Sequence, residues 1–133
     1  MRKLILLLVF IIFISSCSGD DPSYQAEVLP VNEAIVPSSF TFNRVDTITV
    51  RYTLPSNCYE LPTAYYRHNG LTSRVVAVKA LKNLDIRCSQ LPSEMELKIP
   101  VLALYREDYY FSFWMGEDSR GNDLFQDFSV PVN

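Results

Sequence analysis

The sequence predicts an all-β protein, namely an antiparallel β-sandwich of seven to eight strands. Apolar and polar side chains alternate from about residue 24 to the C-terminus, and turn-forming residues interrupt this alternation at short intervals. No stretch sustains the 3.6-residue period of an amphipathic helix. Short strands at this spacing typically form two packed sheets. A small β-barrel is the alternative, and it ranks second because ligand barrels usually need longer strands and more residues.

The strands can be placed one by one from the alternation and from the prolines and glycines that bound it. We predict strands near residues 24–30, 40–43, 46–54, 59–67, 73–81, 94–102, 108–116 and 123–132. The third is the clearest, because every second position from Ile48 to Leu54 is apolar and the positions between them are polar. Asn69-Gly70 predicts a tight hairpin turn with positive φ at both central residues, joining the fourth and fifth strands.

The chain begins with a segment that is typical of an export signal. Arg2 and Lys3 precede an apolar run over residues 4–14, which as a helix would rise only about 16 Å, roughly half of a bilayer core. Ile14-Ser15-Ser16-Cys17 resembles the lipobox of bacterial lipoproteins. That resemblance implies a signal peptide over residues 1–16 and acylation of Cys17, for example with palmitate, so that fatty chains anchor the mature protein. A plain secreted protein is the alternative.

Residues 17–23 predict a flexible acidic tether between the anchor and a domain over residues 24–133. The pair Asp20-Asp21 resembles the surface-export signal of lipoproteins of Bacteroidota, although a simple linker would look the same. Elsewhere an aspartate directly after the acylated cysteine retains lipoproteins in the inner membrane, and here that position is Ser18. We therefore expect a protein that is lipid-anchored to the outer membrane, either periplasmic or exposed at the cell surface.

The net charge and the two remaining cysteines narrow the possible partners and predict a covalent link. Without Arg2 and Lys3, 10 basic side chains oppose 15 acidic ones, which argues against nucleic acid and anionic headgroups as partners. Cys58 and Cys88 are an even pair in an exported chain and predict a disulfide. A metal or redox pair is less favoured, because the chain has no C-x-x-C motif and only one histidine.

The last two predicted strands carry a second resemblance. This part of the chain is similar to the C-terminal hairpin of bacterial immunoglobulin-like domains. The resemblance rests on an aromatic alternation, followed by Asp118-x-x-Gly121-Asn122 and then by Val130-Pro131-Val132. This implies an immunoglobulin-like sandwich, although Cys58 and Cys88 do not fall on the strands that the antibody disulfide joins. As a whole the chain resembles small lipoproteins of Bacteroidota, a resemblance that implies no particular activity.

The aromatic strand at residues 108–116 supplies the candidate binding surface. Both of its alternating sets are large, so periodicity does not settle which set is buried. The resemblance turns Tyr110, Ser112 and Trp114 inward, which leaves Tyr109, Phe111 and Phe113 outward as a contact row. Tyr65 and Tyr66 would widen that row. The alternative is that residues 31–42 fold over the aromatic row and bury it.

Candidate catalytic and metal-binding residues are few. His68 flanks a tight turn and is expected to be exposed, and no nucleophile–base, zinc-protease or phosphate-loop motif is present. Asp118, Asn122 and Asp123 are candidate calcium ligands, but Arg120 between them favours a structural turn.

These observations predict a non-enzymatic protein without a cofactor or bound metal. Its role would be to bind a glycan or an envelope protein. The alternative is a structural accessory subunit of an envelope complex.

Overall fold

The computed structural model describes Gly19 and residues 21–133, so the predicted signal peptide (residues 1–16) and Cys17 lie outside the described residues. The described residues contain no helix with the length and apolarity that a membrane crossing requires. They form eight strands: β1 (Tyr24–Leu29), β2 (Val31–Ile35), β3 (Val45–Leu54), β4 (Tyr59–His68), β5 (Ser73–Asn83), β6 (Ser93–Leu102), β7 (Tyr109–Glu117) and β8 (Asp123–Val130).

The strands are divided between two sheets, which confirms the predicted β-sandwich. The smaller sheet has the order β2-β3-β6, and the larger sheet contains β1, β4, β5, β7 and β8. In the larger sheet, β5 pairs with β4 along one edge, while β1 and β7 share its other edge. Buried side chains from both sheets form one apolar core, and the described strands do not close into a barrel.

One strand pair departs from a purely antiparallel arrangement. Residues 73–76 of β5 run parallel to residues 110–113 of β7, whereas every other pair of named strands is antiparallel. A parallel pair cannot be joined by a tight turn, and here the chain crosses to β6 in the other sheet before it returns as β7. This crossover places β7 beside β5 and positions the surface described below.

The strand that was predicted at residues 40–43 is wrong. In that segment only Phe40 makes a ladder contact, an isolated parallel bridge to Val132. β3 pairs with β2 on one side and with β6 on the other. The alternation does not reveal β2, because a bulge between Val31 and Glu33 places two exposed residues in succession.

The Asn69-Gly70 hairpin joins β4 to β5 as predicted, but its geometry differs. Gly70 has a φ of 144°, while Asn69 is not among the residues with positive φ. The connection spans residues 69–72, and the Asn69 N–H donates to the Ser73 carbonyl oxygen over 2.9 Å. A four-residue loop therefore replaces the expected two-residue turn.

The predicted contact row on β7 is buried, which corrects the assignment of Tyr109, Phe111 and Phe113 to the surface. These three side chains are at most 1% exposed. Phe40 packs edge-on against both Tyr109 and Phe111, with ring centroids 5.8 Å apart in each case. The alternative prediction, that residues 31–42 cover the aromatic row, is therefore confirmed, and the set with Tyr110, Ser112 and Trp114 faces outward instead.

The two cysteines of the domain are joined as predicted. The sulfur atoms of Cys58 and Cys88 lie 1.98 Å apart, with the Cα atoms 5.4 Å apart. This disulfide ties the start of β4 to the long connection between β5 and β6. Next to it, Asn57 accepts a hydrogen bond from the Ser89 N–H over 2.8 Å, so the same connection is held at two adjacent points.

Candidate functional site

An aromatic surface covers part of the outer side of the five-stranded sheet. We call Tyr65, Trp114 and Phe125, together with Val28 and Val75, the aromatic face. These side chains surround a shallow depression of about 210 Å³, which Arg67, Ala77 and Asp123 also line.

Strand register brings these residues together. Trp114 of β7 lies directly opposite Phe125 of β8, and Tyr65 of β4 lies opposite Ala77 of β5. Directly opposed side chains in an antiparallel pair share one face of the sheet and touch. Because Ala77 is small, it leaves a low area between Tyr65 on one side and Trp114 on the other, and this area forms the floor of the depression.

The aromatic face is accessible to a ligand. Tyr65 is 38% exposed and Phe125 is 45% exposed, while Trp114 is half-buried between its neighbours. Tyr110 extends the same face toward the start of β7. Contiguous exposed rings on a sheet are unusual for a surface that only meets water, and they are typical of interaction sites.

Hydrogen bonds fix the orientation of the Trp114 ring and of the polar groups near it. The indole Nε1–H of Trp114 donates to Asp123 Oδ1 over 2.8 Å, which holds the ring against rotation. Further along the same two strands, the hydroxyl of Ser112 donates to Asp127 Oδ1 over 2.6 Å. Arg67 lies on the opposite side of the depression. The surface therefore combines planar apolar rings with hydrogen-bonding groups at its edges.

The two predicted tyrosines of β4 point in opposite directions. Tyr65 belongs to the aromatic face, whereas Tyr66 packs against the core from the inner side of the sheet. Burial raises the pKa of the Tyr66 phenol, and the nearby Arg74 guanidinium opposes this rise in part. Only Tyr65 can therefore belong to a binding site on the outer face.

The acidic loop between β7 and β8 is held by its own carboxylate. Asp118 accepts hydrogen bonds from the backbone N–H groups of Arg120 and Asn122, and from the Asn122 side chain, over 2.8–2.9 Å. These donors, the Asn122 side chain first, lower the pKa of the Asp118 carboxyl. Asp123 accepts the hydrogen bond from the Trp114 indole instead.

Two of the candidate metal ligands, Asp118 and Asn122, are thus bound to each other, and the third, Asp123, is bound to Trp114. The part of the chain that the structure describes contains no group of three or more His, Cys, Asp or Glu side chains arranged for a metal.

His68 is exposed at the end of β4, as expected, and its ring meets the ring of Tyr66 edge-on at 5.5 Å. No described side chain donates to or accepts from His68 through a hydrogen bond, so the geometry supplies no partner that would orient it as a base.

Sequence reasoning missed Trp114 and Phe125 as site residues. The available signal for Trp114 is that it belongs to the second alternating set of the aromatic strand. That set faces outward only because the first set is buried. The pairing of Trp114 with Phe125 further depends on a bulge between Trp114 and Gly116, which shifts the register of β8.

Comparison with known proteins gives no further guide to this surface. No family model matches the sequence, and no curated protein or solved structure is significantly similar to it. The fold and the site together define the protein as a disulfide-linked β-sandwich with an aromatic outer face.

Proposed function

We propose that this protein is a lipid-anchored binding module of a bacterial outer membrane that recognises a glycan through the aromatic face. The observation that carries the proposal is the exposed set Tyr65, Trp114 and Phe125 around one shallow depression. Planar rings stack against the apolar faces of sugar rings, and polar groups at the rim can bind the hydroxyls. A protein partner could be anchored by the same rings, and the binding experiment described below distinguishes it from a glycan.

The membrane attachment in this proposal rests on the sequence around Cys17. Six residues, 18–23, separate Cys17 from the domain that begins at residue 24, and even a fully extended chain from Cys17 to Tyr24 spans at most about 25 Å. The sandwich would therefore be held close to the membrane surface. A protein held at the membrane surface is suited to capturing a long polymer or another envelope component.

The non-enzymatic part of the proposal rests on the surroundings of the titratable groups. His68 is exposed beside an aromatic ring, and Asp118 and Asp123 are engaged in holding a loop and an indole. Acid–base and nucleophilic catalysis both need a reactive group, a base and an orienting partner within hydrogen-bond reach. The aromatic face offers stacking and hydrogen bonding, which are the means of recognition.

Replacing Trp114 with Ala is expected to weaken glycan binding by about five- to tenfold, because one stacked ring contributes roughly 1–1.4 kcal/mol beyond its buried area. Trp114 is the sole tryptophan, so its fluorescence reports on the aromatic face directly in a soluble form that lacks residues 1–17. A panel of polysaccharides titrated into this form should include one that shifts the emission with saturation. Calorimetry then compares that polysaccharide with the Trp114→Ala and Phe125→Ala variants.

Met95→Ala is the matched control, because Met95 is exposed on the three-stranded sheet, away from the aromatic face. It should bind the polysaccharide as tightly as the parent protein. If no polysaccharide changes the Trp114 emission, the glycan proposal is wrong. A crosslinked protein partner that is lost in the Trp114→Ala variant would then assign the same face to protein recognition.

A further inference from the structure

A second cavity lies on the inner side of β4, away from the aromatic face. This groove, which we call the arginine groove, has a volume of about 350 Å³ and opens where β4 faces β6 and the segment that follows it. Its wall is largely apolar but includes His68, with Leu102 and Leu104 partly exposed at its mouth, and Arg74 lies against the rings of Tyr66 and Tyr109. The volume is at the lower end of the range for small-molecule sites, about 300–1,000 Å³.

Arg74 is only 6% exposed, and it shares the inward phase of β5 with Val76 and Val78. Its Nη1 donates to the carbonyl oxygens of Gly70 and Ser73, and its Nη2 donates to that of Leu71. The Nε–H is buried and has no hydrogen-bond partner among the residues that the structure describes. A guanidinium has five N–H donors, so one hydrogen on Nη2 is also left over. Adjacent Nε and Nη2 donors form the fork that a carboxylate bridges from the side.

The charge of Arg74 is not balanced inside the groove. No carboxylate lines the cavity, and Arg74 is not a partner in any of the ion pairs among the described residues. The ring centroids of Tyr66 and Tyr109 lie 5.9 and 5.5 Å from the guanidinium carbon, and these rings compensate part of the charge. A buried cation without a counter-charge is costly, so an anion that enters the groove gains more than it would at an exposed arginine.

We propose that the arginine groove binds a small organic carboxylate with an apolar body. The carboxylate pairs with the remaining Nε and Nη2 hydrogens of Arg74. The hydroxyl of Tyr109, which accepts the Leu104 N–H over 3.0 Å, can donate its own hydrogen to the same ligand. The apolar body lies along Leu102 and Leu104. This site is separate from the aromatic face, so either proposal can fail without the other.

Methyl NMR spectra of the soluble domain test this assignment with three probes: octanoate, 1-octanol and acetate. Octanoate has both the charge and the apolar body and is expected to shift the methyl signals of Leu102 and Leu104 with saturation. Octanol lacks the charge and acetate lacks the body, and each is expected to bind at least about tenfold more weakly. Equal binding of octanoate and octanol, or the absence of any shift at these methyls, overturns the proposal.

A variant at the mouth provides a second test that does not disturb the buried arginine. Leu104→Glu places a carboxylate beside the groove at a side chain that is more than half exposed, and it should reduce octanoate affinity by at least about tenfold. Leu124→Glu makes the same change at an exposed position of β8 and should leave the affinity unchanged. Unchanged affinity in the Leu104 variant contradicts the proposal.

Discussion

The Phe113→Ala variant is expected to lose about 3–5 kcal/mol of unfolding free energy, the usual cost of truncating a fully buried phenylalanine. Phe113 is 0% exposed and forms the C-terminal end of the buried aromatic row on β7. Its ring stacks beside Phe111 at 6.1 Å and meets Phe128 edge-on at 5.7 Å. These neighbours belong to strands that are held in place by their pairing. The cavity left by the alanine substitution would therefore stay largely open.

Tyr110→Ala is the control for this prediction, because Tyr110 lies on the same strand but is 53% exposed. Its loss should change the unfolding free energy by no more than about 0.5 kcal/mol. Denaturant unfolding of the oxidised soluble domain measures both variants. A larger loss in the Tyr110 variant than in the Phe113 variant would mean that the opposite face of β7 forms the core.

Removal of the disulfide is the second change with a large expected effect. The Cys58→Ala/Cys88→Ala double variant opens a loop with a sequence separation of 30. Loop-closure entropy then predicts a loss of about 3–4 kcal/mol of unfolding free energy, mainly because the unfolded chain becomes freer. Since small domains are stable by only about 5–15 kcal/mol, this is a large share. Alanine suits position 58 because the Cys58 side chain is completely buried.

The reductant dependence of unfolding provides the control. The parent protein should unfold at a lower denaturant concentration when a thiol reductant is present, whereas the double variant should unfold at the same concentration with and without it. If oxidised parent and double variant share one unfolding midpoint, the disulfide does not stabilise the domain.

Where alternation is clean, the sequence is enough to place a strand. In β3 the positions Ile48, Val50 and Tyr52 are buried as their spacing predicts. In β7 both alternating sets are large, so hydrophobic burial alone does not choose between them. The choice depends on Phe40, which is distant in sequence and covers Tyr109 and Phe111. The resemblance to immunoglobulin-like domains favours the opposite phase, and the packing overrides it.

Long-range pairing explains most of what could not be predicted about the two cavities. Tyr65 is recognisable from composition, but the aromatic face exists only because Trp114 meets Phe125 across a bulged register. The arginine groove needs β4 and β6, which belong to different sheets, to face each other. One local signal was available: Arg74 occupies the same alternating set as Val76 and Val78, where a charged residue is unexpected.

The two candidate sites lie on opposite sides of the larger sheet, because alternate side chains of a strand point to opposite sides. Along β4, Tyr65 points to the aromatic face and Tyr66 points to the arginine groove. Side chains two residues apart share a face of a strand, whereas adjacent ones do not. A ligand on one side therefore contacts none of the side chains that line the other, and variants at Trp114 and Leu104 should affect binding independently.

The intact mass of the native protein, extracted from the membranes of its own cells, tests the central claim most directly. The account predicts a chain of residues 17–133 that carries a diacylglyceryl or triacyl group on Cys17 and lacks two hydrogen atoms because Cys58 and Cys88 are oxidised. A chain of residues 1–133 with an unmodified Cys17 and reduced thiols, recovered from the soluble cell fraction, would contradict it.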